Sequence, residues 1–214
     1  MNQIVSILLS NKEKQKLKKK YVFLLFIFII ICIFLLFIYF FKQYEEYKNE
    51  NLSQTLINKF NITSLYSDNH YYDSNYLQQE ESLNLPFVIG IIKIEKLNLY
   101  YPILSHTSKE NLKVAPCKFY GPPPNEIGNL CIAGHNYVDN KLFSKIHTLD
   151  KDDCIKISDL TGHTTSYYVY SIYEVFDSDL SCTSQDTHNK REITLITCNN
   201  VNGTRVIVKA SEKK

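Results

Sequence analysis

The sequence predicts a mainly β protein: a small closed β-barrel of about eight strands with one or two short helices, preceded by a single transmembrane helix. Three observations carry that expectation. Residues 21–41 form one unbroken apolar run. Every glycine and every proline lies at or beyond Pro86, and from there on apolar and polar residues alternate as a half-buried sheet requires.

Residues 1–20 hold six lysines and one acid, Glu13, and form a basic tail. Residues 21–41 contain no charged residue, Gly, Pro or amide side chain. At about 1.5 Å of rise per residue a helix of that length covers about 30 Å, the thickness of a bilayer's hydrocarbon core. Tyr21 and Tyr39 sit near its two ends, where interfacial rings are favoured, and Lys42 closes it. A cleaved signal peptide has a shorter apolar core ending in small residues. Here the run ends Leu36-Phe37-Ile38-Tyr39-Phe40-Phe41, so a retained single-pass anchor in the lipid bilayer is expected. The lysines keep the N-terminus cytoplasmic, which places everything after Lys42 outside the cell.

Residues 42–85 are polar and lack turn residues. They read as an extracellular stalk, partly helical, with a disordered stretch at 67–74. Residues 86–214 read as the barrel domain. Strands are expected at 88–94, 97–104, 130–133, 154–158, 166–176, 193–197 and 205–209. One helix is expected at 105–114, capped by Ser105 or Thr107, and a second at 140–149 with Leu142, Phe143 and Ile146 on one face. The net charge of +2 conceals the basic tail, without which the chain is net negative. No basic stripe remains to grip nucleic acid, which excludes it as a partner.

Six cysteines are present. Cys32 lies in the anchor, and the other five (117, 131, 154, 182 and 198) have no spacing that suggests a disulfide framework. Buried structural thiols are expected for Cys117, Cys131 and Cys154. Cys198 differs. It ends the apolar strand Ile193-Thr194-Leu195-Ile196-Thr197-Cys198 and opens into the polar loop Asn199-Asn200-Val201-Asn202-Gly203. A nucleophile there has a rigid base and an open face. Arg205 begins the next strand across a tight connection, and Gly134-His135 follows another short strand. Together they supply a nucleophile, a proton carrier and a cationic donor for oxyanion charge.

These residues also resemble a known family, the sortases. Their Thr-Leu-x-Thr-Cys signature is met by Thr194-Leu195-Ile196-Thr197-Cys198, the following arginine by Arg205, and the Gly-His pair by Gly134-His135. The segment 143–158 looks like the family's stretch after the histidine. The resemblance covers about residues 86–210. It implies a class A- or D-like member: no Asp-Pro occurs to form the lid of the pilus-assembling branch, and the 16 residues 177–192 are too few for the helix-bearing insertion of the class B type.

By that resemblance the substrate is a secreted protein with an LPxTG-like signal, cleaved between Thr and Gly. Cys198 is the nucleophile, His135 the proton donor and acceptor, and Arg205 the oxyanion stabiliser. An amine of a cell-wall precursor receives the acyl group, and Thr197 and Leu195 shape the substrate groove. β-sheet packing is the other reading of those last two. No cofactor is implied. Some relatives bind calcium, but the loop 121–129 offers only Glu126, with Asp177 and Asp179 as companions, and a calcium ion takes six or more oxygens.

Two other readings stand beside this one. An L,D-transpeptidase-type cell-wall cysteine transferase needs a Ser-x-Gly-Cys pattern that Ile196-Thr197-Cys198-Asn199 lacks. A non-catalytic anchored β module would use Cys131 and His135 as zinc ligands, but no second pair follows at ligand spacing.

Overall fold

The computed structural model describes residues 2–67, 87–137, 141–199 and 203–213. Two compact units divide the chain, Met1–Lys48 and Asn49–Lys214. Helix α1, Asn2–Ser67, contains the whole of the apolar run. It is long and apolar enough to cross a membrane, and the large apolar side chains between Tyr21 and Phe41 are exposed along it. The stretch expected to be disordered, 67–74, lies almost entirely outside the described residues.

In the second unit eight strands close a barrel in the order β1-β2-β3-β4-β7-β8-β6-β5, with β5 pairing back onto β1. They are β1 (Val88–Ile94), β2 (Leu99–Leu104), β3 (Cys117–Tyr120), β4 (Gly128–Ala133), β5 (Cys154–Asp159), β6 (Thr164–Phe176), β7 (Arg191–Asn199) and β8 (Thr204–Glu212). β1 and β2 are separated by a 3-10 turn, Glu95–Leu97, ended by Asn98 in the left-handed region (φ 51°). That residue type tolerates the conformation better than most. Within the barrel, Ile92, Ile94, Ile103, Ile132, Ile155, Ile157, Leu195 and Val208 are fully buried. They alternate with outward-facing residues, as the period of two requires.

Three local outcomes differ from the sequence reading. β3 was not expected. Its four residues pair antiparallel with β4 and touch β2 only at Leu104 and Cys117, which leaves too short a run for periodicity to reveal. Helix α2 is Lys109–Val114, capped by Ser108, whose hydroxyl accepts from the Asn111 N–H at 3.0 Å. The cap is therefore neither Ser105 nor Thr107. Among the described residues of 140–149, a 3-10 turn (Ile146–Thr148) replaces the expected α-helix. Leu142 there is left-handed (φ 49°), which a continuous helix forbids. The apolar spacing nevertheless marked core residues, because Leu142, Phe143 and Ile146 are all buried.

The segment read as a stalk contributes to the second unit. Leu56 packs with Leu104, Val114, Ala115 and Cys117, while Ile57 and Phe60 pack with Ile91. Tyr101 donates to Glu50 Oε2 at 3.1 Å. These side chains recur at helical spacing on one face of α1 and cover the outside of β1 and β2. Ile57→Ala should cost about 2–5 kcal/mol of barrel stability. A chain beginning at Phe87 should unfold at lower denaturant than one beginning at Asn49, and equal midpoints in urea would show that the helix face adds nothing.

Candidate active site

The residues singled out in the sequence come together at one end of two strand pairs. β4 and β7 run parallel, with Cys131 opposite Thr194 and Ala133 opposite Ile196. Past the end of β4 the pairing continues through the Gly134 N–H, which donates to the Ile196 carbonyl at 3.0 Å. His135 follows next in the chain, at the end where β7 carries Cys198. β7 and β8 form an antiparallel pair in which Cys198 faces Arg205 directly. Residues 200–202 of the connecting loop lie outside the described residues.

Side-chain bonds hold this end together. Thr197 Oγ1 donates to the Gly134 carbonyl at 2.8 Å, and Asn136 Nδ2 donates to the Cys198 carbonyl at 2.7 Å. Asn136 therefore ties the residue after the histidine to the cysteine's own peptide. Gly134 is required by close approach rather than by a turn. A Cβ there would lie 2.6 Å from the Phe143 ring, which fills the barrel end.

The period of two sorts the residues by face. Leu195 is fully buried in the barrel interior and Thr197 is buried in its bond to Gly134. Both side chains take part in sheet packing, the other reading given for them. Cys198 and Arg205 share the outer face with Ile196 and Ile207, which cluster with Cys131 and Cys182. Counting back from Cys198 in twos finds Ile196 and Thr194, so this face was legible in the period of two.

The connection from β6 to β7 lies over this outer face, anchored by Asn129. Its amide donates to the Cys182 and Ser184 carbonyls, each at 3.0 Å, and its Oδ1 accepts from Thr194 Oγ1 at 2.7 Å. A buried amide with its partners all satisfied fixes a loop as a packed core does. No local pattern marks Asn129, because its partners lie more than 50 residues away.

All six cysteines are free and only Cys198 is exposed. Burial pushes the thiols of Cys117 and Cys131 up to about 12, which keeps them protonated and inert. His135 is held below the ordinary histidine range, first by burial and then by the nearby Lys113 charge. Its ring lies 5.1 Å from that of Tyr137. Arg205 forms an ion pair with Asp177. The chain has one other arginine, Arg191, whose Nε donates to the Asn125 carbonyl and whose Nη1 meets Glu212. Among the described residues no group of three or more His, Cys, Asp or Glu is placed to hold a metal ion.

An exposed strand-end thiol, a guanidinium across the hairpin and a histidine at the adjoining end of β4 are the parts that cysteine-based acyl transfer needs. The sortase domain model matches residues 92–213. Over 130 residues the chain is 34% identical to sortase A of Bacillus anthracis, which is 59% of this chain and 60% of that relative, so less than two thirds of the relative's length is spanned. A sortase D5 transpeptidase from Clostridium perfringens superposes with a TM-score of 0.59 at 27% identity, covering 78% of this chain and 99% of that one. A lid mutant of sortase A from Corynebacterium diphtheriae gives 0.56 at 25% identity, covering 75% and 93%. The chain belongs to the sortase family of cysteine transpeptidases.

The lowered proton affinity of His135 has a consequence for stability. In acid the unfolded chain binds this proton more readily than the folded one, so acid favours unfolding. The contribution is fully present above the ordinary histidine value and is lost as pH falls through the lowered folded value. Urea midpoints measured at descending pH should therefore fall less steeply for His135→Gln than for the wild type. Parallel curves would remove burial of the neutral ring as the cause.

Proposed function

We propose that this chain is a membrane-anchored transpeptidase of the class A- or D-like kind. It cleaves an LPxTG-like sorting signal between Thr and Gly and passes the acyl group, through a thioester on Cys198, to an amine of a cell-wall precursor. The observation that carries this reading is the exposed Cys198 thiol, paired in register with Arg205, with Gly134 and Asn136 on either side of His135 both bonded to the end of β7. The short β6–β7 connection, with only a 3-10 turn at Ser181–Thr183, favours the same branch.

The geometry suggests the order of events. His135, largely neutral because it is half-buried, takes the Cys198 proton as sulfur attacks the threonine carbonyl. Arg205 donates to the oxygen as negative charge gathers on it. The imidazolium then protonates the departing glycine amine, leaving the thioester. An incoming amine attacks the thioester, gives its proton to His135, and releases the joined product as the thiol is restored.

Incubation with an LPxTG-like peptide tests this. Cleavage between Thr and Gly should speed up when hydroxylamine or oligoglycine is added, because the amine relieves a slow second step. Cys198→Ala should abolish cleavage and exchange, while Cys117→Ala and Cys131→Ala keep both. Arg205→Lys, which loses the planar fork of donors, should lower turnover about 10²-fold. A Cys198→Ala protein that still exchanges peptide for amine would sink the reading.

The topology is tested separately. The lysine-rich residues 1–20 should hold the N-terminus in the cytoplasm and leave the barrel outside. Protease added to intact cells should then remove the barrel, and full protection of a protease-sensitive barrel would reverse the orientation.

A further inference from the structure

β6 ends beside the mouth of the β7–β8 hairpin, and acids from that end reach both faces of it. On one face the Glu174 carboxylate accepts from Asn199 Nδ2 at 2.9 Å and from Thr204 Oγ1 at 2.8 Å. Those two partners are the residue after Cys198 and the residue before Arg205. On the other face Val175 lies directly opposite Arg205, and Asp177, two residues on, forms an ion pair with the Arg205 guanidinium. Residues two apart on neighbouring strands are diagonal neighbours within reach of a long side chain.

We propose that Asp177 is a positioning residue for Arg205, holding its guanidinium on the outer face where Cys198 lies. The proposal rests on the transfer reading given above. An arginine on a strand end otherwise swings through many rotamers, and each must be frozen out before its donors can meet a substrate oxygen. Asp177 engages Nη2, and a guanidinium has five N–H donors, so even a two-pronged pair leaves three for another acceptor. The Asp177 side chain is 73% exposed and that of Arg205 only 26%. Water therefore screens the carboxylate's charge strongly, and the pair orients the guanidinium more than it neutralises it.

The presence of only two arginines makes a direct measurement possible. Arginine-selective 15N NMR of the full chain in detergent resolves two guanidinium groups, and Arg205→Lys identifies the signal of Arg205. Rotation of the Arg205 guanidinium should be at least several-fold faster in Asp177→Ala and Asp177→Asn, with Arg191 unchanged as the internal control. In peptide–amine exchange, Asp177→Ala should lower kcat about tenfold with KM within about twofold, and Asp177→Glu should recover most of the loss. In the Arg205→Lys background Asp177→Ala should cost nothing further, because the two residues act as one unit.

Unchanged Arg205 motion in both Asp177 variants, additive losses in the double variant, or a rise in kcat on removing Asp177 would each overturn the proposal. The last would make the pair a restraint that substrate must break. An inert wild type whose Arg205 signal still responds to Asp177 would sink the transfer reading and uphold the pair.

Discussion

The parallel pairing of β4 with β7 is the contact on which the candidate site depends. Gly134 and Thr197 meet although 63 residues separate them, and no hairpin can join parallel neighbours. The crossover between them contains β5 and β6, which themselves close the barrel onto β1 and β8. The strand ends that carry Cys198 and His135 therefore meet only when the barrel is complete. Arg205 is different, since a short hairpin delivers it to Cys198. One half of the site is local and the other is a long-range pairing.

Closure also separates the cysteines by chemistry. Those packed behind strands are driven toward the neutral thiol by loss of water, as at Cys117 and Cys131. Cys198, at the strand end, keeps its access to solvent. The outer face of β7 and β8 is apolar at Ile196 and Ile207 and polar at Cys198 and Arg205. The loop pinned by Asn129 borders it.

The helix residues from Leu52 to Phe60 join the barrel by the ordinary rule of an apolar stripe, with Leu56, Ile57 and Phe60 inward and Gln54, Asn58 and Lys59 outward. Their low count of apolar residues and lack of turn signals favoured a stalk in the sequence. A single helical face needs only three or four such residues per two turns, fewer than a composition argument detects.

The sequence alone determined the apolar helix, the barrel class, most strand positions and the identity of Cys198, His135 and Arg205 as the candidate set. Each of those rests on a local signal: an uncharged run, a period of two, or a short motif at a strand end. Tertiary structure alone decided what depends on distant partners. It showed Gly134 to be a close-contact glycine against Phe143, made Asn129 the anchor of the β6–β7 loop, and turned Leu195 and Thr197 inward. It also paired Asp177 with Arg205. The physical reason is common to all four. A side chain's role is set by which atoms lie within a few ångströms of it, and here those atoms come from strands, turns and loops brought together only when the domain folds.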